Sequence, residues 1–157
     1  MTLLLHEQAP GFSLASTSSH IFQLHQDFHN KACILFFYAR DFNTTCTEEI
    51  CGFRDHYSTL QKLGIAVAGI SRDDIVTHIH FKDKYDLPFE LLSDQKGEVS
   101  KQYQAVIPLI GVSKRISYLL NKEHKIVAVY ESLFHSKRHI SHMLEKLKAL
   151  PSAILPV

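Results

Sequence analysis

Ala32-Cys33-Ile34-Leu35-Phe36-Phe37-Tyr38 is an unbroken apolar run, short and rich in aromatic side chains. A run of this length and composition predicts a central strand covered on both faces. Gly64-Ile65-Ala66-Val67-Ala68-Gly69-Ile70 has the same character and is closed by the turn-forming Ser71-Arg72-Asp73-Asp74. Between the two, residues 45–62 carry Ile50, Phe53, Tyr57 and Leu60 at three- and four-residue spacings, the stripe of an amphipathic helix. Strand, helix and strand, with both strands buried, make a βαβ unit: a parallel pair joined by a right-handed crossover.

Working outward, Phe12-Ser13-Leu14 and Ile21-Phe22-Gln23-Leu24 read as an N-terminal β-hairpin about the Ser/Thr-rich turn 16–19. Downstream, 74–85 reads as a surface helix, Phe89-Glu90-Leu91-Leu92 as a short strand and 97–103 as a short helix. Residues 116–120 and 125–130 form a strand pair across the polar turn Asn121-Lys122-Glu123-His124. A last helix over 136–149 sets Ile140, Met143, Leu144 and Leu147 on one face, and Pro151 stops it. This order predicts an α/β domain spanning 1–157, with a central mixed sheet flanked by helices on both faces.

The chain's 157 residues suit one core, and an apolar fraction of 45% is that of a globular protein. A net charge of +1 argues against binding nucleic acid or an anionic membrane through a broad basic surface. No run approaches the ~18 apolar residues of a membrane span, and Met1-Thr2-Leu3-Leu4-Leu5-His6 lacks the form of a secretion signal. Three cysteines are too few, and odd in number, for a secreted disulfide framework. A reducing cytoplasm is the expected compartment, where a close cysteine pair points to redox chemistry.

That pair is Cys46 and Cys51, at the point where the first buried strand gives way to the helix. Thr45-Cys46-Thr47-Glu48 has the S/T-x-x-E form of a capping box, which makes Thr45 the expected N-cap and Cys46 the first helical residue. There the unpaired N–H groups and the positive end of the helix dipole favour a thiolate. Cys51 lies five residues on, a net rotation of about 140° and a rise of about 7.5 Å in an ideal helix. That exceeds the ~7 Å Cα separation a disulfide tolerates, so the two bond only if the first turns unwind. Two unrelated helix cysteines, one merely packed, fit the same positions.

The segment from Phe37 to Asp55 resembles the active site of the Q-type peroxiredoxins, or bacterioferritin comigratory proteins, with their F-Y-P-K-D-x-T-P-G-C-T-x-E-x-C-x-F-R-D. Phe37, Tyr38, Asp41, Cys46, Thr47, Glu49, Cys51, Phe53, Arg54 and Asp55 match it without a gap. Ala9-Pro10-Gly11-Phe12-Ser13-Leu14, Gly69-Ile70-Ser71, Leu87–Asp94 and Arg115–Leu120 resemble further family blocks in the same order. The resemblance implies a thioredoxin-like fold and reduction of hydrogen peroxide or organic hydroperoxides. By it, Cys46 attacks the peroxide and becomes a sulfenic acid, and Cys51 resolves this as a disulfide. Thioredoxin or a similar dithiol then restores both thiols. Arg115 corresponds to an arginine that favours the thiolate and orients the peroxide, and Glu49 to a glutamate that holds it. No metal or organic cofactor is implied, and a monomer or weak dimer is expected.

Two positions depart from the family's P-x-x-x-[TS]-x-x-C. Ala39 stands for the proline that shapes the pocket, and Asn43 for the hydroxyl residue that bonds the peroxide. Asn43 offers a donor and an acceptor on a longer, planar amide, so slower turnover than in typical members is expected. The competing reading is a peroxide-responsive sensor or interaction protein with weak turnover. A disulfide oxidoreductase is disfavoured because no C-x-x-C is present. His78-x-His80 and His135-x-x-x-His139-x-x-His142 have spacings that could share a face, but read as solvated surface histidines. Cys33, inside its strand, reads as a small apolar residue.

Overall fold

A computed structural model describes residues 2–107, 109–111, 113–131 and 138–149. Its elements run β1 (Ser13–Ser16), β2 (Ile21–Gln23), α1 (Leu24–Asp27), β3 (Cys33–Phe37), α2 (Thr44–Asp55), α3 (Tyr57–Lys62) and β4 (Ala66–Ser71). They continue as α4 (Ile75–Tyr85), β5 (Glu90–Ser93), α5 (Glu98–Gln102), β6 (Ile116–Leu120), β7 (Ile126–Glu131) and α6 (Arg138–Ala149). The strands form one mixed sheet in the order β2-β1-β5-β4-β3-β6-β7. β3 lies at its heart, parallel to β4 and antiparallel to β6, so the expected βαβ unit is present.

Because successive strand residues point to opposite faces, β3 feeds two cores. Ile34 and Phe36 join Cys46, Ile50 and Phe53 of α2, Phe81 of α4 and Ile140, Met143 and Leu147 of α6. Cys33, Leu35 and Phe37 join Phe22, Leu24, Val99 and the Tyr103–Tyr118 pair on the other face. Helices therefore cover both faces. Gly69 of β4 allows Phe36 its place: a Cβ there would lie 2.6 Å from the Phe36 ring. That ring in turn stacks on Phe53 of α2, centroids 4.6 Å apart.

Several expectations are corrected. The single helix over 45–62 is two, broken at His56, whose backbone has left the helical region (φ −104°, ψ 7°). Leu24, read as the end of a strand, opens the short α1, with its side chain buried. The expected strand at 64–70 begins only at Ala66, because Gly64 turns the chain with a positive φ of 73°. The first two residues of the helix expected over 136–149, and Pro151, lie outside the described residues. Among the described residues no helix is long and apolar enough to cross a membrane.

Candidate active site

The chain leaves β3 and reaches α2 through Tyr38–Asn43, and this loop is pinned at several points. The Tyr38 hydroxyl donates to Asp41 Oδ1 at 2.6 Å, and the Asp41 N–H donates to Asp73 Oδ2 at 2.8 Å. His78 lies between them, Nδ1 2.6 Å from Asp41 Oδ2 and Nε2 3.0 Å from the Leu92 carbonyl. Burial and the Asp41 carboxylate push the Tyr38 phenol far up, so it remains a donor. One ligand atom from each of Asp41, Asp73 and His78 lies within 4.8 Å of the others. Each already holds a hydrogen bond, which makes the group a buried polar brace between the loop and α4. The surface reading of His78 is thus wrong for that residue, whereas His80 is exposed. His78 sits one turn before the buried Phe81, a spacing that marks it as inward.

Phe42 then turns the chain through a left-handed backbone (φ 63°). A bulky side chain rarely adopts this conformation, and its ring is seated against Phe81, centroids 4.9 Å apart. Asn43 follows in extended conformation (φ −69°, ψ 131°) and is the N-cap of α2: its Oδ1 accepts from the Cys46 N–H at 3.1 Å. Thr45 is therefore not the cap. Cys46 is the third helical residue rather than the first, and Glu48 falls at the fifth, out of step with a capping box. The cause is local, since Asn is as good a cap as Thr or better, and the Phe42 turn delivers it first. The Asn43 carbonyl also takes the Thr47 N–H and hydroxyl, both at 2.8 Å.

All three cysteines are free thiols. Cys46 is fully buried, so its sulfur is closed off from solvent in this conformation. Cys51 is half-buried and opens on a cleft of about 460 Å³ between α2 and α6, lined by Thr47, Gly52, Asp55, Ile140 and Ser141 among others. Burial is the main influence raising the Cys51 thiol, eased by Arg54 and reinforced by Asp55. Both cysteines lie within the intact α2, so the geometric bar to their bonding stands. The helix is also held at its far end. There Phe53 stacks on Phe36 and Arg54 donates to the Tyr85 carbonyl at 2.8 Å. Burial drives the Cys33 thiol far up, and this residue behaves as the apolar filler expected.

Glu49 is fully buried one turn beyond Cys46 on the same helix. Burial raises its carboxyl well above the usual range, and the Arg115 guanidinium pulls it back. The β3–β6 register pairs Phe37 with Ile116, which brings Arg115 level with Tyr38 and the start of the loop. Arg115, distant in sequence, is thus near enough to act on the Glu49 carboxyl through its charge, while neither Glu49 oxygen has a hydrogen-bond partner among the described residues. A further group was not foreseen. His139 of α6 is fully buried, its Nδ1 2.9 Å from Ser117 Oγ on β6 and 3.8 Å from Glu49 Oε1. Tyr130 meets its ring edge-on at 4.8 Å. The surface reading fails for this histidine also, and its place one turn before Met143 on the buried stripe is the signal that marks it. His142 is half-buried, and burial lowers it; His135 lies outside the described residues.

Residues 5–129 match the model of the AhpC/TSA family. The chain is 36% identical over 143 residues to a protein of Oryza sativa subsp. japonica named peroxiredoxin Q, chloroplastic; the match covers 90% of this chain and 65% of that protein. It is 38% identical over 136 residues to a Coxiella burnetii protein named peroxiredoxin bcp, covering 83% of this chain and 89% of the other. Among solved structures, peroxidoxin BcpB from Mycobacterium tuberculosis superposes with a TM-score of 0.87 at 25% identity, over 94% of this chain and 97% of that one. Xanthomonas campestris peroxiredoxin Q shares the fold, with a TM-score of 0.80 at 23% identity over 88% and 90% of the two chains.

Proposed function

This chain belongs to the AhpC/TSA family, as a peroxiredoxin of the Q/bcp group, and from that premise we propose that it is a thiol peroxidase working through Cys46 and Cys51. The Cys46 thiolate attacks one oxygen of the peroxide. The O–O bond breaks, the departing oxygen takes a proton to leave as water or an alcohol, and the sulfur is left as sulfenic acid. The Cys51 thiolate then attacks that sulfur, the S–O bond breaks, and the displaced hydroxyl takes a proton and leaves as water, closing a disulfide. A thioredoxin-type dithiol supplies two electrons by exchange and is itself oxidised.

The observation that carries this reading is the pair of free thiols in the capped α2, the buried one in its first turn and the other opening on a cleft. Arg115 orients the peroxide, Glu49 is coupled to it through charge, and Asn43 sets the helix start by accepting from the Cys46 N–H. Unwinding of the first turns brings the sulfurs together. It also exposes Cys51 to water and removes the burial that disfavours its thiolate. The protein would act in a reducing compartment such as the cytoplasm, as a monomer or weak dimer.

The test is mass spectrometry of the reduced protein after one equivalent of peroxide, beside Cys46→Ser and Cys51→Ser. A Cys46–Cys51 disulfide in the wild type and a trapped sulfenic acid on Cys46 in Cys51→Ser are expected. Unchanged Cys46 refutes the proposal. Oxidation that a thioredoxin system fails to reverse would instead favour the sensor reading.

A further inference from the structure

Two groups near Glu49 belong to other elements, Arg115 before β6 and His139 on α6, and Ser117 within β6 bonds His139. Glu49 itself lies between Cys46 and Cys51 in sequence. Closing a disulfide across those two residues turns 47–50 from helix into a tight loop, because the helical spacing forbids the bond. Glu49 then cannot keep its buried position. Its approach to His139, Nδ1 to Oε1 3.8 Å with no hydrogen bond between them in the thiol form, belongs to one redox state and not the other.

We propose that His139 is a positioning residue for the resolving step: acting through Glu49, it holds the first turns of α2 folded and so sets how long the Cys46 sulfenic acid waits for Cys51. The inference rests on the two-cysteine chemistry proposed above. A contact present in only one of two states shifts their balance by its own free energy. Side chains from β6 and β7 fix the His139 ring, with the Ser117 hydroxyl at 2.9 Å and Tyr130 edge-on. The restraint on α2 is thereby anchored in the sheet and in α6 rather than in α2 itself.

The waiting time decides between two fates. Resolution by Cys51 joins the two sulfurs and releases water. Attack on a second peroxide molecule transfers another oxygen to Cys46, leaving a sulfinic acid and releasing water or an alcohol. A firm hold on Glu49 favours the second fate, and a loosened one the first.

The experiment exposes wild type, His139→Phe and Ser117→Ala to rising hydrogen peroxide and reads the ratio of disulfide to sulfinic acid by intact-protein mass spectrometry. His139→Phe keeps an aromatic ring beside Tyr130 but loses the contact with Glu49. It is expected to raise the ratio about threefold, within the lower part of the coupling seen between neighbouring buried groups. Ser117→Ala, the milder probe if the first variant folds poorly, is expected to raise it about twofold by freeing the ring. In a Glu49→Gln background, His139→Phe should add little, since the partner it acts through is gone. An unmoved ratio in a wild-type-like fold overturns the inference, as does an equal rise in the Glu49→Gln background. The two-cysteine reading survives either result, provided the wild type forms its disulfide. A wild type that forms none overturns both.

Discussion

Asn43→Ala removes a single acceptor, the Oδ1 at 3.1 Å from the Cys46 N–H. The backbone carbonyl that takes the Thr47 N–H and hydroxyl is untouched, so the change isolates the side-chain cap. Loss of an Asn cap to Ala typically costs about 1 kcal/mol of helix stability. With tenfold for every ~1.4 kcal/mol, the unwound form of the first turns becomes about fivefold more populated. If the sulfenic acid is resolved only from the unwound form, the disulfide-forming step accelerates by the same factor, about fivefold. Stopped-flow fluorescence of the reduced protein mixed with peroxide separates the steps. One phase scales with peroxide concentration and reports attack, and the other does not and reports resolution. The concentration-independent phase should rise about fivefold, even though loss of the amide slows the first phase. An unchanged or slower resolving phase would refute the premise that α2 must unwind from its capped end.

Two further outcomes follow from the same structure. Asn43→Thr combined with Ala39→Pro restores the family's flanking residues and should raise the peroxide-dependent rate constant; no gain would show that these substitutions do not limit turnover. His124 is lowered from its usual value of 6.5, first by burial and also by His25, while the Phe28 and Lys31 carbonyls oppose the shift. A histidine depressed by folding takes up its proton more readily unfolded, so stability falls as pH drops through 6.5 toward the lowered value. Its Nδ1 is also 2.7 Å from that of His25, an arrangement that requires one nitrogen to accept. Urea midpoints at pH 7.5 and 5.5 should therefore differ less in His124→Gln than in wild type, and an identical drop would exclude His124 as the source.

Strand and helix types were legible wherever burial follows a simple period. β3 and β4 announce themselves as apolar runs, and the α6 stripe of Ile140, Met143 and Leu147 is buried as its spacing requires. Ends were less legible. The start of α2 depends on the left-handed turn at Phe42, a residue whose side chain gives no hint of that backbone, and a Thr-x-x-Glu pattern two residues later offered a rival cap. The break at His56 was hidden for a related reason: Tyr57 and Leu60 continue the apolar spacing across it, while Tyr57 packs beside Phe89. The cysteine pair stood out by its position at a helix start, whereas Glu49, Asn43 and Arg115 were picked out through the family resemblance. His78 and His139 were not, because polarity argued for the surface while helical position argued for the core. Their pairing with Asp41 and with Ser117 and Glu49, residues far away in sequence, resolves the conflict.

The alternation of β3 has a consequence for oxidation chemistry. Cys33 points into one core and Cys46 into the other, with the sheet between them. Of the pairings open to three cysteines, only Cys46 with Cys51 is reached by melting a turn or two of one helix. Either bond to Cys33 would require the sheet itself to come apart. The strand thus acts as a partition that keeps a burst of oxidant from scrambling the cross-links, and a third thiol is carried safely through every catalytic cycle.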